Sequence, residues 1–192
     1  TETPLPCQID TTRPRSRYRV QAALDYATKS MLISQTMRYA NTTGQPLVEI
    51  ILSVEPNQWA GLFTLKNATW GSTPLVTDMV STRMRIALPR PLEAGCEAEF
   101  TLNVPRVGAG VSNYRGYFGY GERQINLAYW LPVISPHING EWIHHEPKSI
   151  GEQTVLEPAD WDVLLTVSNA PTGLQLAAPG TVEQPAADQW HI

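Results

Sequence analysis

The 192-residue chain has few charged residues, only two cysteines and no long apolar run. Its 14 basic and 18 acidic residues make up 17% of the chain and leave a net charge of −4, so we do not expect it to bind duplex nucleic acid. No apolar stretch approaches the roughly 20 residues of a membrane-spanning helix, and the run from 48 to 54 is interrupted by Glu49. Two cysteines are also too few for a disulfide framework.

Apolar residues and proline are both plentiful. The apolar share of 42% is enough to bury a single large core, which excludes disorder for most of the chain. The 16 prolines argue against a helix bundle, because proline breaks the interior of a helix. The composition therefore favours one globular domain built mainly from strands.

Alternation of apolar and polar residues predicts about eight short strands. The alternating segments are 18–26, 31–39 (with Gln35 as the exception), 48–54, 62–69, 83–88, 97–104, 125–131 and 161–167. In the clearest of them we expect Phe100, Leu102 and Val104 to be buried, with Glu99 and Thr101 on the opposite face. Short strands separated by turn residues indicate an all-β, antiparallel β-sandwich.

The ends of the chain lack this alternation. Residues 1–16 are rich in proline and predict an extended tail, whereas 17–180 form the sandwich. Residues 181–192 are predicted to be a C-terminal extension, truncated relative to a complete domain, with a strand starting near Trp190. The glycine- and tyrosine-rich stretch 106–123 is predicted to be a loop.

The two cysteines, Cys7 and Cys96, could form one bridge. A bridge would close a loop of about 90 residues and stabilise the fold by about 4.5 kcal/mol. However, Cys96 follows a turn and Cys7 lies in a proline-flanked tail, so we expect the two thiols to remain unpaired.

The histidines offer the one pattern that could suggest a metal site. His144, His145 and Glu146 are adjacent, and His137 lies upstream. On a strand, neighbouring histidines point to opposite faces, and the H-E-x-x-H spacing of a zinc helix is absent. We therefore interpret this stretch as a polar loop with surface histidines.

No other catalytic motif is present. The glycines between Gly116 and Gly121 match no phosphate-binding pattern, and there is no G-x-S-x-G nucleophile elbow. Trp130, Trp142 and Trp161 fall within 32 residues, a density that is typical of a sugar platform or a protein interface. Because Trp130 and Trp161 lie on predicted strands, we expect those two to pack in the core.

Several segments occur in an order that resembles a known family. They are MLISQTMRYANTT from Met31, LVEIILSVEPN from Leu47, LPRPLEAGCEAEFTLNV from Leu88, and YWLPVISPHINGEWIHHEPKSIGEQTVLEPADWDVLLTV from Tyr129. Together they resemble the N-terminal β-domain of the zinc aminopeptidase family that includes membrane alanyl aminopeptidase and leukotriene hydrolase. The similarity covers residues 17–180 and is greatest to the short bacterial members.

The resemblance implies a saddle-like sandwich and a non-catalytic role. In the family, zinc is held by H-E-x-x-H and a downstream Glu, and a G-x-M-E-N strand helps to grip the substrate amine. Neither motif occurs here, since both belong to a following catalytic domain. The resemblance thus implies an accessory domain without metal, cofactor or catalytic residues, which packs on a zinc peptidase domain and helps to wall its peptide-binding cleft.

The segment from Trp130 to Ile150 is the expected docking surface, with Trp130, Ile138, Trp142 and Ile143 as its apolar side chains. Its prolines prevent it from pairing as a central strand, so it either covers its own core or receives a partner. An alternative function is a free-standing module that binds a carbohydrate or a protein through Trp142 and the tyrosine-rich loop. The missing initial Met and the usual location of family members favour an extracytoplasmic location.

Overall fold

The computed structural model describes Cys7 and residues 15–108, 111–112, 117–148 and 154–192. Within these residues the chain forms eighteen strands and one 3-10 helix, Glu55–Gln58. The strands are β1 (Arg17–Asp25), β2 (Ser30–Ala40), β3 (Leu47–Ser53), β4 (Phe63–Thr64), β5 (Asn67–Trp70), β6 (Thr73–Pro74), β7 (Val76–Val80), β8 (Arg83–Leu92), β9 (Glu97–Gly108), β10 (Val111–Ser112), β11 (Phe118–Tyr120), β12 (Ile125–Leu127), β13 (Val133–Ile134), β14 (His137–Ile138), β15 (Glu141–Trp142), β16 (Asp160–Ser168), β17 (Glu183–Ala186) and β18 (Gln189–His191).

The largest sheet has nine strands in the order β17-β18-β16-β1-β2-β9-β5-β6, with β4 paired to one end of β9. Its pairs are antiparallel except for β1 with β16, which run parallel. The β1–β2 hairpin turns where Asp25 Oδ1 accepts hydrogen bonds from the main-chain N–H groups of Ala27 and Thr28. The predicted all-β class is therefore confirmed.

A smaller sheet packs against the large one. Its order is β13-β3-β8-β7, all antiparallel. Ile50 and Leu52 of β3 and Met84 and Ile86 of β8 are fully buried in the same hydrophobic core as the large sheet. Two small sheets, β10-β11-β12 and the β14–β15 hairpin, complete the described strands. No helix in the described residues is long and apolar enough to cross a membrane.

The strongest alternating segments fold as predicted. Phe100, Leu102 and Val104 of β9 are at most 1% exposed, while Glu99 is exposed on the other face. Gln35, the polar exception on β2, also faces the core. Its side-chain amide donates a 2.6 Å hydrogen bond to the carbonyl oxygen of Pro132, which ties β2 to the segment that precedes β13.

Two expectations were wrong in detail. Val48 is exposed, because the β3–β8 register shifts between Leu47 and Glu49 and turns it away from the core. Trp161 is 40% exposed at the start of β16, where its ring stacks on Tyr18 at 4.2 Å. In the segment 181–192, the strand expected near Trp190 is β18, which joins the large sheet together with β17 and buries Trp190.

The two cysteines are bridged, contrary to the expectation of unpaired thiols. Cys7 and Cys96 form a disulfide with a Cα–Cα distance of 4.7 Å, across 89 residues of sequence. Cys96 is buried just before β9, and its carbonyl accepts a hydrogen bond from Asn41. The turn before Cys96 therefore places its sulfur beside Cys7, so the position of Cys96 after a turn does not prevent pairing.

The buried face of β9 gives a test of its register. We expect Phe100→Ala to destabilise the domain by about 3–5 kcal/mol, because it removes a fully buried ring, and Glu99→Ala to cost less than about 0.5 kcal/mol. Denaturant unfolding of the two variants measures the difference. Equal losses from the two substitutions would contradict this register.

The disulfide gives a second test. Cys7→Ser should lower the free energy of unfolding by about 4.5 kcal/mol, because the bridge restricts the unfolded chain. The change is measured by guanidinium unfolding of the variant and of the oxidised and reduced native chain. Adding a reductant should destabilise the native chain and leave the variant unchanged; a native chain indifferent to reductant would refute the bridge.

Candidate interaction surface

The first half of the predicted docking segment covers its own core. Strand β13 pairs with β3, and the main-chain N–H of Ser135 donates to the carbonyl of Ile51. Val133 and Ile134 are buried, and the N–H of Ile134 donates to the Tyr18 hydroxyl at 3.0 Å. These residues form an edge of the small sheet, so they are not available to a partner.

The second half forms the β14–β15 hairpin and presents apolar side chains. Ile138 is 49% exposed at its tip, while Trp142 and Ile143 are half-buried. The Trp142 ring packs at 6.2 Å from Tyr39 and meets the edge of His137 at 4.9 Å. Residues 149–150, the end of the predicted segment, lie outside the described residues. The structure thus brings three of the four candidate residues together on one hairpin.

Trp130, the fourth candidate, lines an apolar groove of about 530 Å³. The groove floor is the core-facing side of β16, formed by Val163, Leu165 and Val167. Half-buried large side chains line its walls: Tyr26, Ile125, Leu127, Tyr129, Trp130, Leu156, Leu174, Leu176 and Ile192. Strands β12 and β13 contribute Ile125, Leu127 and Val133 to the lining of the groove. Sequence reasoning missed the groove, because Leu174 and Leu176 lie outside every predicted strand.

The opposite face of the large sheet is charged. A trough of about 800 Å³ there is lined by arginines and acids of β1, β2, β9 and β16. The Glu97 carboxylate forms ion pairs with both Arg17 and Arg38, and the Asp162 carboxylate forms one with Arg19 at 3.5 Å. Because the charges of both signs largely neutralise one another, this face has no net preference for an anion or a cation.

A buried polar cluster lies beside the hairpin. The His144 imidazole, 6% exposed, lies 3.3 Å from the Thr82 hydroxyl and 3.6 Å from the Glu146 carboxylate. Burial lowers the pKa of His144 and outweighs the opposing effect of Glu146. Burial likewise raises the pKa of Glu55, which accepts a hydrogen bond from the Ser53 hydroxyl at 3.2 Å.

The three histidines of the predicted polar loop do not share one environment. His145 is exposed, as expected, but His144 is buried and His137 packs against Trp142. In the described part of the chain no group of three or more His, Cys, Asp or Glu side chains is arranged to hold a metal ion. The histidines therefore support packing of the hairpin in this structure.

The tyrosine-rich loop is only partly described, and Gly116 and the residues just before it lie outside the described set. Tyr117 is 39% exposed, its hydroxyl accepts a 3.0 Å hydrogen bond from the Gln58 side-chain amide, and its ring packs on Trp59 and Tyr129. Gly119 and Gly121 lie in and just after β11, with no helix following them. These aromatic rings therefore pack on one another beside the 3-10 helix.

Solved structures of M1 zinc metallopeptidases have the same fold. The enzyme from Deinococcus radiodurans is 17% identical, with a TM-score of 0.55 over 92% of this chain and 37% of the enzyme. A mutant of it bound to a Tyr-Ser-Ala substrate gives a TM-score of 0.53 at 17% identity. A two-domain M1 zinc metallopeptidase mutant bound to L-tryptophan gives 0.53 at 15% identity, over 93% of this chain and 39% of that chain.

This likeness shows the fold, and it confirms the architecture predicted from the sequence resemblance. The chain spans 37% to 39% of the length of these enzymes, consistent with one domain of a larger protein. No family model matches the chain, and no curated protein matches its sequence.

Buried His144 predicts a pH dependence of stability. Its lowered pKa means that the folded chain binds fewer protons than the unfolded chain, where the pKa is near 6.5. This residue's contribution to stability is therefore complete above pH 6.5 and declines as the pH falls toward its lowered pKa. Relative to native protein, His144→Gln should lose less stability between pH 7 and pH 5 in thermal unfolding.

His145→Gln is the matched control, because the neighbouring imidazole is exposed. It should change the slope of stability against pH much less than His144→Gln does, because burial is the main cause of the lowered His144 pKa and the charge of His145 is a lesser one. Glu55 acts in the opposite sense, since its raised pKa makes the folded chain bind a proton more readily at low pH. Glu55 contributes equally to both histidine variants, so a comparison of the two variants cancels its effect. Identical slopes of stability against pH in the two variants would contradict the role assigned to His144.

Proposed function

We propose that this chain is a non-catalytic N-terminal domain of a zinc-dependent aminopeptidase-like protein. It packs on the catalytic zinc peptidase domain and helps to wall one side of the peptide-binding cleft. The fold likeness to part of the M1 enzymes supports an accessory domain, and the uncovered apolar groove is the observation that carries the docking role. In this proposal the zinc and the catalytic residues belong to the partner domain, and a peptide substrate meets this chain only at the cleft wall.

The docking surface combines the groove with the β14–β15 hairpin. Trp130 and Trp161 line the groove with large, incompletely buried rings, and Ile138 projects from the hairpin at 49% exposure. Contacts between domains of one chain typically cover about 600–1,500 Å². Half-buried apolar side chains of this kind gain further burial when a second domain covers them, which supplies the driving force for docking.

The test is binding between separately produced domains. The zinc peptidase segment encoded after this domain in the gene's reading frame should co-purify with this chain. Ile138→Lys and Ile143→Lys should each weaken the association by at least about tenfold, because both place a charge in an apolar contact. Isothermal titration measures the affinities. A reading frame that encodes no H-E-x-x-H segment would contradict the proposal.

Leu32→Lys is the matched control. Leu32 is 58% exposed on β2, on the charged face of the large sheet, so its substitution adds the same charge away from the proposed contact. We expect it to leave the affinity unchanged. A loss equal to that of Ile138→Lys would show that the hairpin is not the docking site.

The isolated chain should also self-associate through the proposed docking surface. The variants Ile138→Lys and Ile143→Lys should therefore remain monomeric in sedimentation experiments.

We further propose an extracytoplasmic location. The Cys7–Cys96 disulfide supports it, because structural disulfides persist in oxidising compartments and are rare where thiols are kept reduced. Cell fractionation with thiol labelling of the native protein tests this proposal. Labelling of both cysteines in freshly lysed cells would contradict it.

A further inference from the structure

Strand β7 is the edge strand of the small sheet, and it carries exposed apolar side chains. Among the described strands it pairs only with β8. Val76 is 74% exposed and Val80 62% exposed, with the exposed Asp78 between them on the same face. Thr77 and Met79 point the other way and are half-buried. The accessible part of β7 thus presents two valine side chains, one carboxylate and the side of the strand backbone that faces away from β8.

The hairpin geometry shows which backbone groups face outward. Val80 pairs with Arg83 across a turn of two residues, Ser81 and Thr82, and the pair that closes such a turn is hydrogen-bonded. Hydrogen-bonded pairs alternate along antiparallel strands, so Asp78 also bonds to β8. The N–H and C=O groups of Thr77 and Met79 therefore point to the open edge, where they can pair with another strand.

The other edges of the two larger sheets carry features that block pairing, and β7 does not. Strand β13, at the opposite edge of the small sheet, is two residues long and lies between Pro132 and Pro136. Strand β17, at one end of the large sheet, contains Pro185 and has a register shift. Strand β6, at the other end, is two residues long and contains Pro74. Strand β7 has neither proline nor lysine, and its register with β8 is unbroken. Native proteins use such features to prevent unwanted pairing, so their absence from β7 marks an edge open to a partner strand.

The charges beside β7 indicate which side chain a partner strand would place opposite Asp78. Arg85 lies directly across from Asp78, and its guanidinium donates to the carboxylate of Glu49, two residues along β3 from the position that faces Arg85. The cation that faces Asp78 on β8 is therefore already paired with Glu49, and a cation on the next strand would give Asp78 a second opposite charge. Opposite charges on facing strand positions are favourable.

The same charge disfavours pairing between two copies of this chain. An antiparallel partner β7 that pairs all five residues would place Asp78 opposite Asp78. Like charges directly opposite destabilise a sheet. The edge is therefore better matched to a different polypeptide than to itself.

We infer that β7 binds an extended polypeptide that carries Lys or Arg between two apolar β-branched residues at alternate positions. The segment adds a fifth strand to the small sheet through the main-chain groups of Thr77 and Met79. Its cation faces Asp78, and its apolar side chains cover Val76 and Val80. This inference is independent of the proposed docking groove, since β7 and the groove are formed by different strands.

The experiment uses two peptides that differ in one residue. The ¹⁵N-labelled chain is titrated with acetyl-Thr-Val-Thr-Lys-Thr-Val-Thr-amide and with the same peptide carrying Glu in place of Lys. The lysine peptide should shift the amide signals of β7, slow hydrogen exchange at Thr77 and Met79, and bind about fivefold more tightly than the glutamate peptide. Added salt should reduce this difference, because exposed charges are screened.

Two variants make the test specific. Asp78→Lys should reverse the preference, so that the glutamate peptide binds more tightly. Thr77→Pro should abolish binding of both peptides by removing an outward N–H group, and its spectrum outside β7 reports whether it remains folded. Because Asp78 is exposed, Asp78→Lys keeps the test valid even if Thr77→Pro does not fold.

Several outcomes would overturn the inference. They are the absence of β7 shifts with either peptide at millimolar concentration, equal affinities for the two peptides, and full binding by folded Thr77→Pro. Shifts of β7 that depend on protein concentration without peptide would show pairing between copies and would also overturn it.

Discussion

The inner face of the large sheet must be covered, and the small sheet is too narrow to cover it. Neighbouring strands lie about 4.8 Å apart, so four strands span roughly half the width of the large sheet. The core forms where the two overlap, around Phe100 and Met84, both fully buried. Toward one end of the large sheet, Leu24 of β1 and Val163 and Leu165 of β16 line the apolar groove, together with Val133 of β13 and loop residues such as Leu174.

This mismatch in width links the fold to the proposed role. The segment around Trp130 and the loop around Leu174 shield the end of the sheet, but they leave large side chains half-exposed. In the proposed function, a second domain seated there would bury these side chains further. The Gln35 amide, bonded to the carbonyl oxygen of Pro132, anchors the segment that follows Trp130 to β2.

Sequence predicted the parts of the fold that depend on local alternation, and it missed those set by distant contacts. Phe100 and Gln35 were placed on correctly identified strands, because the alternation of buried and exposed residues is visible in sequence. Strand β7 was missed, since Val76 and Val80 face solvent rather than the core. The Cys7–Cys96 bridge and the exposure of Trp161 depend on which segments meet in space. The hairpin residues Ile138, Trp142 and Ile143 were found as apolar residues in a proline-containing segment, whereas the groove depends on how distant strands and loops meet in space.

The most direct test of the account measures the solvent accessibility of Trp130, which is half-buried and lines the groove. Hydroxyl-radical footprinting with mass spectrometry compares the isolated chain with the chain joined to its zinc peptidase domain. The account predicts that oxidation of Trp130 falls severalfold in the joined protein, while oxidation of Leu32 on the charged face is unchanged. Equal oxidation of Trp130 in both proteins, or protection of Leu32 instead, would contradict it.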